Sequence, residues 1–225
     1  MEPRDLAELP YAAALQPHSG GLSPDEDYDT VHFDQLAFDD ASAPNARFME
    51  CAFTQVSFQA GQLRRARCTH VWLHDVRMTG TGLAETSWQD ATFAAAVIAG
   101  AEAYGAQFRD VTFRECKLDS VNFRDAMFLD VVFENCLLRE VDFGGARLTR
   151  VAFANTRLDK TDFSRVTMDD VDLRGAELNI TITPDSLRGA IITNAQLMTA
   201  APLLAETLGI AVTDGDGTRP PAGAG

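Results

Sequence analysis

Large apolar residues recur at every fifth position of this chain, from Phe33 to Leu178. All 14 phenylalanines of the sequence fall in this register, and most of its other positions hold leucine, methionine, isoleucine or tryptophan. The residue two places before each large one is almost always valine, alanine, threonine, cysteine or glycine. The repeating unit is therefore small, polar, large apolar, polar, polar, as in VNFRD at 121–125.

A period of five excludes the ordinary regular structures. An α-helix repeats about every 3.6 residues and a simple strand about every two. Two apolar positions per unit indicate instead that the chain turns a corner in each pentapeptide. The small and the large residue then point inward, and the other three positions, which carry nearly all the charge, point outward.

This unit resembles the A(D/N)LXX unit of the pentapeptide-repeat family over about two thirds of the chain. The resemblance implies an all-β solenoid, a right-handed quadrilateral β-helix with four pentapeptides per coil. The sequence supports this coil length, because like residues recur at a spacing of 20, as phenylalanine does at 93, 113, 133 and 153. At a spacing of about 4.8 Å per coil, we expect a rod roughly 35 Å long.

The register divides the chain into four expected segments. They are an irregular N-terminal cap over 1–30, the β-helix over 31–182, a helical C-terminal cap over 183–213 and a disordered tail over 214–225. The N-terminal cap contains four prolines and should hold at most one short helix. Both ends of the rod need such caps, because they expose unpaired strand edges.

The C-terminal cap shows helix signals. Thr183 followed by Pro184 predicts a helix start, and Gly209 predicts a helix end. The stretch AIITNAQL at 190–197 could close a last coil in a shifted register. Pro202 would kink the helix or restart it. Apolar residues at helical spacing mark one face of the helix: Leu197, Ala201, Leu204 and Leu208.

No catalytic constellation is visible in the sequence. The four cysteines form no CxxC pair and fall on inward positions, which predicts core residues: Cys51, Cys68, Cys116 and Cys136. His70 and His74 fall on outward positions and are expected at the surface. Nucleophile-elbow, phosphate-loop and dinucleotide-binding patterns are absent. We therefore predict a chain that is not an enzyme and that has no metal site and no cofactor.

The formal net charge is −14. An acidic surface repels nucleic acid and anionic lipid, so we expect binding to neither nucleic acid nor membrane. The sequence shows no targeting segment and no apolar run long enough to span a bilayer, which predicts a cytoplasmic protein. Solubility alone is one explanation of the charge, and attraction of a basic partner is the other.

One corner of the folded repeat concentrates carboxylates. A coil of 20 residues stacks five acidic residues there, with His70 and Arg150 between them: Glu50, Asp90, Asp110, Asp130 and Asp170. We name these five the acidic ladder. Asp90, Asp110 and Asp130 would lie on successive coils, about 4.8 Å apart, and repel one another. Aspartate suits tight turns, which is one explanation. The functional explanation is a row of carboxylates that imitates the phosphates of a DNA duplex.

The stretch LLAETLGIAV at 203–212 resembles the C-terminal end of the MfpA and Qnr quinolone-resistance group of the same family. That resemblance implies a DNA mimic that binds DNA gyrase or another type II topoisomerase, and a homodimer formed through Leu197, Ala201, Leu204 and Leu208. The rod lacks the projecting loops of many Qnr proteins, so it looks more like the loop-free type, and this puts drug protection in doubt more than gyrase binding. The alternative is a general scaffold for another protein partner. A mimic predicts an acidic face, and a scaffold predicts mixed charge on all four faces.

Overall fold

Each coil contains 20 residues, because parallel strands pair residues at that spacing: Phe93 with Phe113, then Phe133, then Phe153. The structure is a computed structural model that describes residues 5–181 and 186–213. Within this part, the chain is a parallel β-solenoid of about eight turns followed by one α-helix. The predicted fold class, an all-β pentapeptide-repeat solenoid, is confirmed.

The described chain begins with two 3₁₀ helices, Leu6–Glu8 and Ala12–Ala14, and ends with α1, Asn194–Thr207. The strands between them are short and follow in chain order: β1 Gln16–His18, β2 Asp27–Asp29, β3 Val31–Asp34, β4 Ala37–Asp39, β5 Arg47–Met49, β6 Ala52–Thr54, β7 Ser57–Gln59, β8 Arg67–His74, β9 Arg77–Thr79, β10 Ser87–Ala94, β11 Val97–Ala99, β12 Gln107–Arg114, β13 Lys117–Asp119, β14 Met127–Glu134, β15 Leu137–Arg139, β16 Arg147–Ala154, β17 Arg157–Asp162, β18 Thr167–Asp172, β19 Glu177–Thr181 and β20 Ala190–Ile191.

The four sides of the coil are joined in different ways. A 12-stranded parallel sheet covers two adjacent faces, because strands such as β10 and β12 continue through the corner between them. An eight-stranded parallel sheet, from β4 to β19, forms the third face. On the fourth face, single bridges join residues 20 apart, from Ser42–Gln62 to Asp142–Asp162. Successive coils therefore hydrogen-bond on every side of the rod.

The corners are made by left-handed residues. Every fifth residue from Asp25 to Asp170 has a positive φ, between 48° and 74°. For a residue other than glycine this conformation costs roughly 1–2 kcal/mol, and asparagine and aspartate tolerate it best. The rod adopts it at regular intervals because each turn lets the next pentapeptide pair with the coil below. This is the position that holds the acidic ladder.

The interior is filled by stacked rings and aliphatic side chains. Phe133 is fully buried between Phe113 and Phe153, with ring centroids 4.8 and 4.9 Å away and nearly parallel planes. The small inward residues are also buried, as at Ala126, which has no exposed surface. All four cysteines are buried, which confirms their prediction as core residues.

The parallel pairing begins upstream of residue 31, where the β-helix was expected to start. β1 pairs with β3, and β2 pairs with β5. Tyr28 lies one pentapeptide before Phe33, and its ring is buried and stacked on Phe48 at 5.0 Å. The segment expected to be an irregular cap therefore supplies strands to the solenoid, because tyrosine continues the large apolar position.

The last coil closes in a shifted register, as the sequence indicated. Val171 pairs with Ala190 and Asp172 pairs with Ile191, a spacing of 19 residues. The shift begins earlier, between Asp159 and Thr161 on β17. One residue is missing from the last coil relative to the others, and the strict period ends there.

The C-terminal helix begins at Asn194. The expected start at Thr183–Pro184 and the expected disordered tail over 214–225 lie outside the described residues. Thr193 caps the helix in a reciprocal pair with Gln196, and the Gln196 side-chain amide donates to the carbonyls of Leu173 and Ala176 at 2.7 and 2.8 Å. These bonds tie the helix to the last coil and satisfy carbonyls at its open edge.

The helix continues through Pro202 and ends at Thr207. Gly209 has a φ of +68°, which confirms the predicted helix end. Within the described ranges, no helix combines the length and hydropathy needed to cross a membrane.

Candidate partner-binding surface

The structure brings the five members of the acidic ladder to one corner of the rod. They occupy the left-handed position of successive coils, with φ between 50° and 56°, and only His70 and Arg150 interrupt the series. The strands on either side are continuous, because β8, β10, β12, β14 and β16 all run through this corner. The ladder is thus held on the most extensive sheet of the molecule, at a spacing of about 4.8 Å per coil.

Two members of the ladder contact a basic residue of the adjacent coil in the same column. Both oxygens of Asp130 accept hydrogen bonds from the Arg150 guanidinium at 2.6 Å, and these bonds lower the pKa of that carboxyl. His70 Nε2 lies 3.3 Å from Oδ2 of Asp90. The repulsion expected from stacked carboxylates is therefore offset by residues one coil away.

Arg109 and Arg114 lie close to the ladder in sequence, and the structure assigns them different roles. Arg109 helps lower the pKa of Asp130, but less than the hydrogen bonds from Arg150 do. Arg114 instead donates to Glu134 at 2.9 Å on the neighbouring face. Within the described residues, Glu50, Asp110 and Asp170 form no ion pair, so these three remain available to a partner.

The other columns of the rod carry charges of both signs. Basic residues stack over acidic residues of the preceding or following coil on all four faces, in the pairs Arg47–Asp27, Arg114–Glu134, Arg139–Asp119, Lys160–Glu140 and Arg124–Asp142. Exposed pairs of this kind contribute little to stability. Because these pairs place a positive charge beside each negative one, negative charge is not spread over a whole face. It is concentrated at the corner that holds the acidic ladder. Mixed charge on every face is what the scaffold alternative predicts.

A cavity of about 380 Å³ lies beside the N-terminal end of the ladder. It forms where the N-terminal segment that contains the two 3₁₀ helices packs over Trp72. This residue is 3% exposed although it stands at an outward position of the repeat. Sequence reasoning did not identify this cavity. The signal was present, because a tryptophan on a polar position indicates that another segment covers it.

The residues predicted for a dimer interface lie on one side of α1. With about 100° per residue, Leu197, Ala201, Leu204 and Leu208 fall within roughly 60° of one another. Leu197 and Leu208 are 45% and 62% exposed, and no residue of the helix is buried. Met198 and Ile210 are exposed nearby, so the end of the rod presents an uncovered apolar surface.

The described side chains form no arrangement typical of a metal or nucleophilic site. No three histidine, cysteine or acidic side chains of residues 5–181 and 186–213 come together where they could hold a metal ion. Burial raises the pKa of Cys51 to about 11 and also raises the pKa of Cys68, so both thiols stay protonated and unreactive.

Comparisons with known proteins agree on the architecture. The family model "Pentapeptide repeat region" matches residues 46–123, 86–163 and 106–182. HetL, a pentapeptide repeat protein involved in heterocyst differentiation regulation from the cyanobacterium Nostoc sp. strain PCC 7120, is 14% identical over 77% of this chain and 86% of its own, with a TM-score of 0.50. QnrB1, a plasmid-mediated fluoroquinolone resistance protein, is 19% identical in a trypsin-treated form over 88% of this chain and 96% of its own, with a TM-score of 0.44. No curated protein sequence matches the chain.

Proposed function

The chain belongs to the pentapeptide-repeat family, and we propose that it is a non-catalytic protein-binding rod whose acidic ladder occupies the basic DNA-binding surface of DNA gyrase or another type II topoisomerase. The observation that carries this proposal is the single corner at which five carboxylates occur in seven successive coils. A duplex presents regularly spaced phosphates to the same kind of surface. The proposal implies a cytoplasmic location.

The net charge of −14 supports a basic partner. Long-range attraction between an acidic rod and a basic groove accelerates their encounter and weakens as salt is added. Three ladder carboxylates, Glu50, Asp110 and Asp170, have no ion pair among the described residues and so need not break one to bind. A more specific proposal is that binding protects gyrase from fluoroquinolones. It is supported only by the resemblance of residues 203–212 to the quinolone-resistance group.

The second candidate is a scaffold for a different protein, and the mixed charge of all four faces favours it. A rod of this kind offers extended sides and suits protein contacts better than catalysis. Both candidates predict a binding protein, but they differ in whether the ladder is the contact and whether gyrase is the partner.

We expect the purified chain to change DNA supercoiling by gyrase at micromolar concentration, and the combined substitutions Asp90→Asn, Asp110→Asn and Asp130→Asn to weaken that effect at least about tenfold. Asparagine keeps the left-handed corner and removes three negative charges. A supercoiling assay with and without a fluoroquinolone measures both the effect and any drug protection.

The matched control neutralises three acidic residues on another face: Asp39→Asn, Asp119→Asn and Asp159→Asn. These lie in one column of the eight-stranded sheet, with four coils between Asp39 and Asp119 and two between Asp119 and Asp159. An equal loss of the gyrase effect in the control would show that net charge matters and the ladder does not. The absence of any effect of the unaltered chain would remove gyrase as the partner and leave the scaffold candidate.

We further propose that two copies pair end to end through the apolar side of α1. The double substitution Leu197→Glu and Leu208→Glu should convert a dimer into a monomer of 24.5 kDa, because two buried carboxylates at the contact would lack partners. Sedimentation velocity measures the change. The control is Ala195→Glu, which lies on the opposite side of the same helix and should leave the dimer intact. A monomeric unaltered chain, or a double variant that still dimerises, would contradict this interface.

A further inference from the structure

The cavity beside the acidic ladder combines an apolar wall with carboxylates at its edge. Leu9 and Tyr11 come from the N-terminal segment, and Trp72 comes from the side of the rod. The cavity is also lined by Glu50, His70 and Asp90, which lie on three successive coils. Its volume of about 380 Å³ is within the range of pockets that hold small organic ligands, roughly 300–1,000 Å³. The repeat alone would not produce this cavity, since one wall is supplied by a segment outside the repeat.

A buried polar atom of one of the residues that line the cavity lacks a partner. Trp72 is 3% exposed, and its Nε1 has no hydrogen-bond acceptor within the described residues. The other tryptophan, Trp88, is equally buried, but its Nε1 donates to Thr86 Oγ1 at 3.0 Å. A buried indole N–H normally finds an acceptor, because leaving it unpaired costs free energy. A ligand that carries a neutral oxygen could supply that acceptor.

The charged groups of the cavity favour a cation. Glu50 forms no ion pair in the described part of the chain. Asp90 has the His70 imidazole 3.3 Å away and accepts a long hydrogen bond from the Gln89 side-chain amide at 3.5 Å. Burial raises the pKa of the Tyr11 phenol, and the nearby Cys51 and Glu50 raise it further, so the phenol stays neutral. Aromatic rings and carboxylates together bind organic ammonium groups.

We propose that this cavity binds a small arylalkyl amine, with the ammonium group at Glu50 and Asp90, the ring between Tyr11 and Trp72, and a neutral ligand oxygen near the Trp72 indole. The assignment stands whether or not gyrase is the partner, and it uses two members of the acidic ladder, Glu50 and Asp90. An arginine side chain from a protein partner shares the cationic chemistry but brings no aromatic ring to pack on the apolar wall of Leu9, Tyr11 and Trp72. We therefore commit to a free small molecule.

Tyramine is the probe, and the two indole N–H signals of the ¹⁵N-labelled full chain are the readout. The Trp72 signal should shift progressively and saturate at millimolar tyramine, while the Trp88 signal stays in place. A Trp88→Phe variant assigns the two signals, since phenylalanine occupies the same column at Phe108. N-acetyltyramine keeps the ring and the hydroxyl but loses the charge, so it should bind at least about tenfold more weakly.

Glu50→Gln should weaken tyramine binding at least about tenfold, and Asp170→Asn, four coils beyond Asp90 in the same column, should leave it unchanged. An unmoved Trp72 signal, equal binding of N-acetyltyramine, or equal weakening by Asp170→Asn would overturn the proposal. Nα-acetyl-arginine amide tests the other source of a cation. If it binds as tightly as tyramine, the occupant is a partner's side chain and the small-molecule assignment is wrong.

Discussion

Replacing Phe133 with alanine is expected to lower the free energy of unfolding by about 3–5 kcal/mol. The ring has no exposed surface and lies between Phe113 and Phe153 in an unbroken stack. Its removal leaves a void that the neighbouring coils cannot close, because their backbones are fixed by hydrogen bonds on both sides. Chemical denaturation followed by circular dichroism measures the loss.

The control for this prediction is Phe133→Leu. Leucine fills the same column at Leu73 and Leu173, where it is fully or almost fully buried. We therefore expect a cost below about 1.5 kcal/mol. A leucine variant as unstable as the alanine variant would show that ring stacking, and not filled volume, stabilises the column.

Replacing Ala126 with leucine is the second substitution with a large expected effect, a loss of about 1–3 kcal/mol. Ala126 belongs to a column of alanines that have no exposed surface, with Ala106 and Ala146 in the adjacent coils. The larger side chain cannot enter without displacing a coil, and the pairing of β12, β14 and β16 resists displacement. The same denaturation experiment measures it.

Ala154→Leu is the matched control for overpacking. Ala154 is exposed at the end of β16 and points away from the core. We expect the free energy of unfolding of this variant to stay within about 0.5 kcal/mol of that of the unaltered chain. If Ala126→Leu were equally neutral, the assignment of this position to a closed interior would be wrong.

The middle of the rod was predictable residue by residue because both inward positions repeat without interruption. Every fifth residue from Phe33 to Met168 is buried, as the period predicts, and the four cysteines are buried as well. Each coil repeats the environment of the last, so one correct register determines them all. The ends were less predictable because they lack this redundancy. Tyr28 extended the repeat, and β19 ended it, because that strand is one residue short between Asn179 and Ile180 where it pairs with β17.

The candidate site was predictable in its position but not in its contacts. A spacing of 20 residues places Asp130 and Arg150 at one corner, yet only side-chain geometry shows that they pair. Arg114 is close in sequence to the ladder but faces Glu134 instead. The cavity at Trp72 depends on how a segment outside the repeat folds back onto the rod, and no period describes that segment.

The most direct test of the central claim is competition between the rod and duplex DNA for purified gyrase. The account predicts that labelled rod binds gyrase, that duplex DNA displaces it completely, and that added salt weakens both complexes. A complex in which gyrase holds the rod and the duplex at the same time, or no binding of the rod at micromolar concentration, would contradict the claim that the acidic ladder takes the place of DNA.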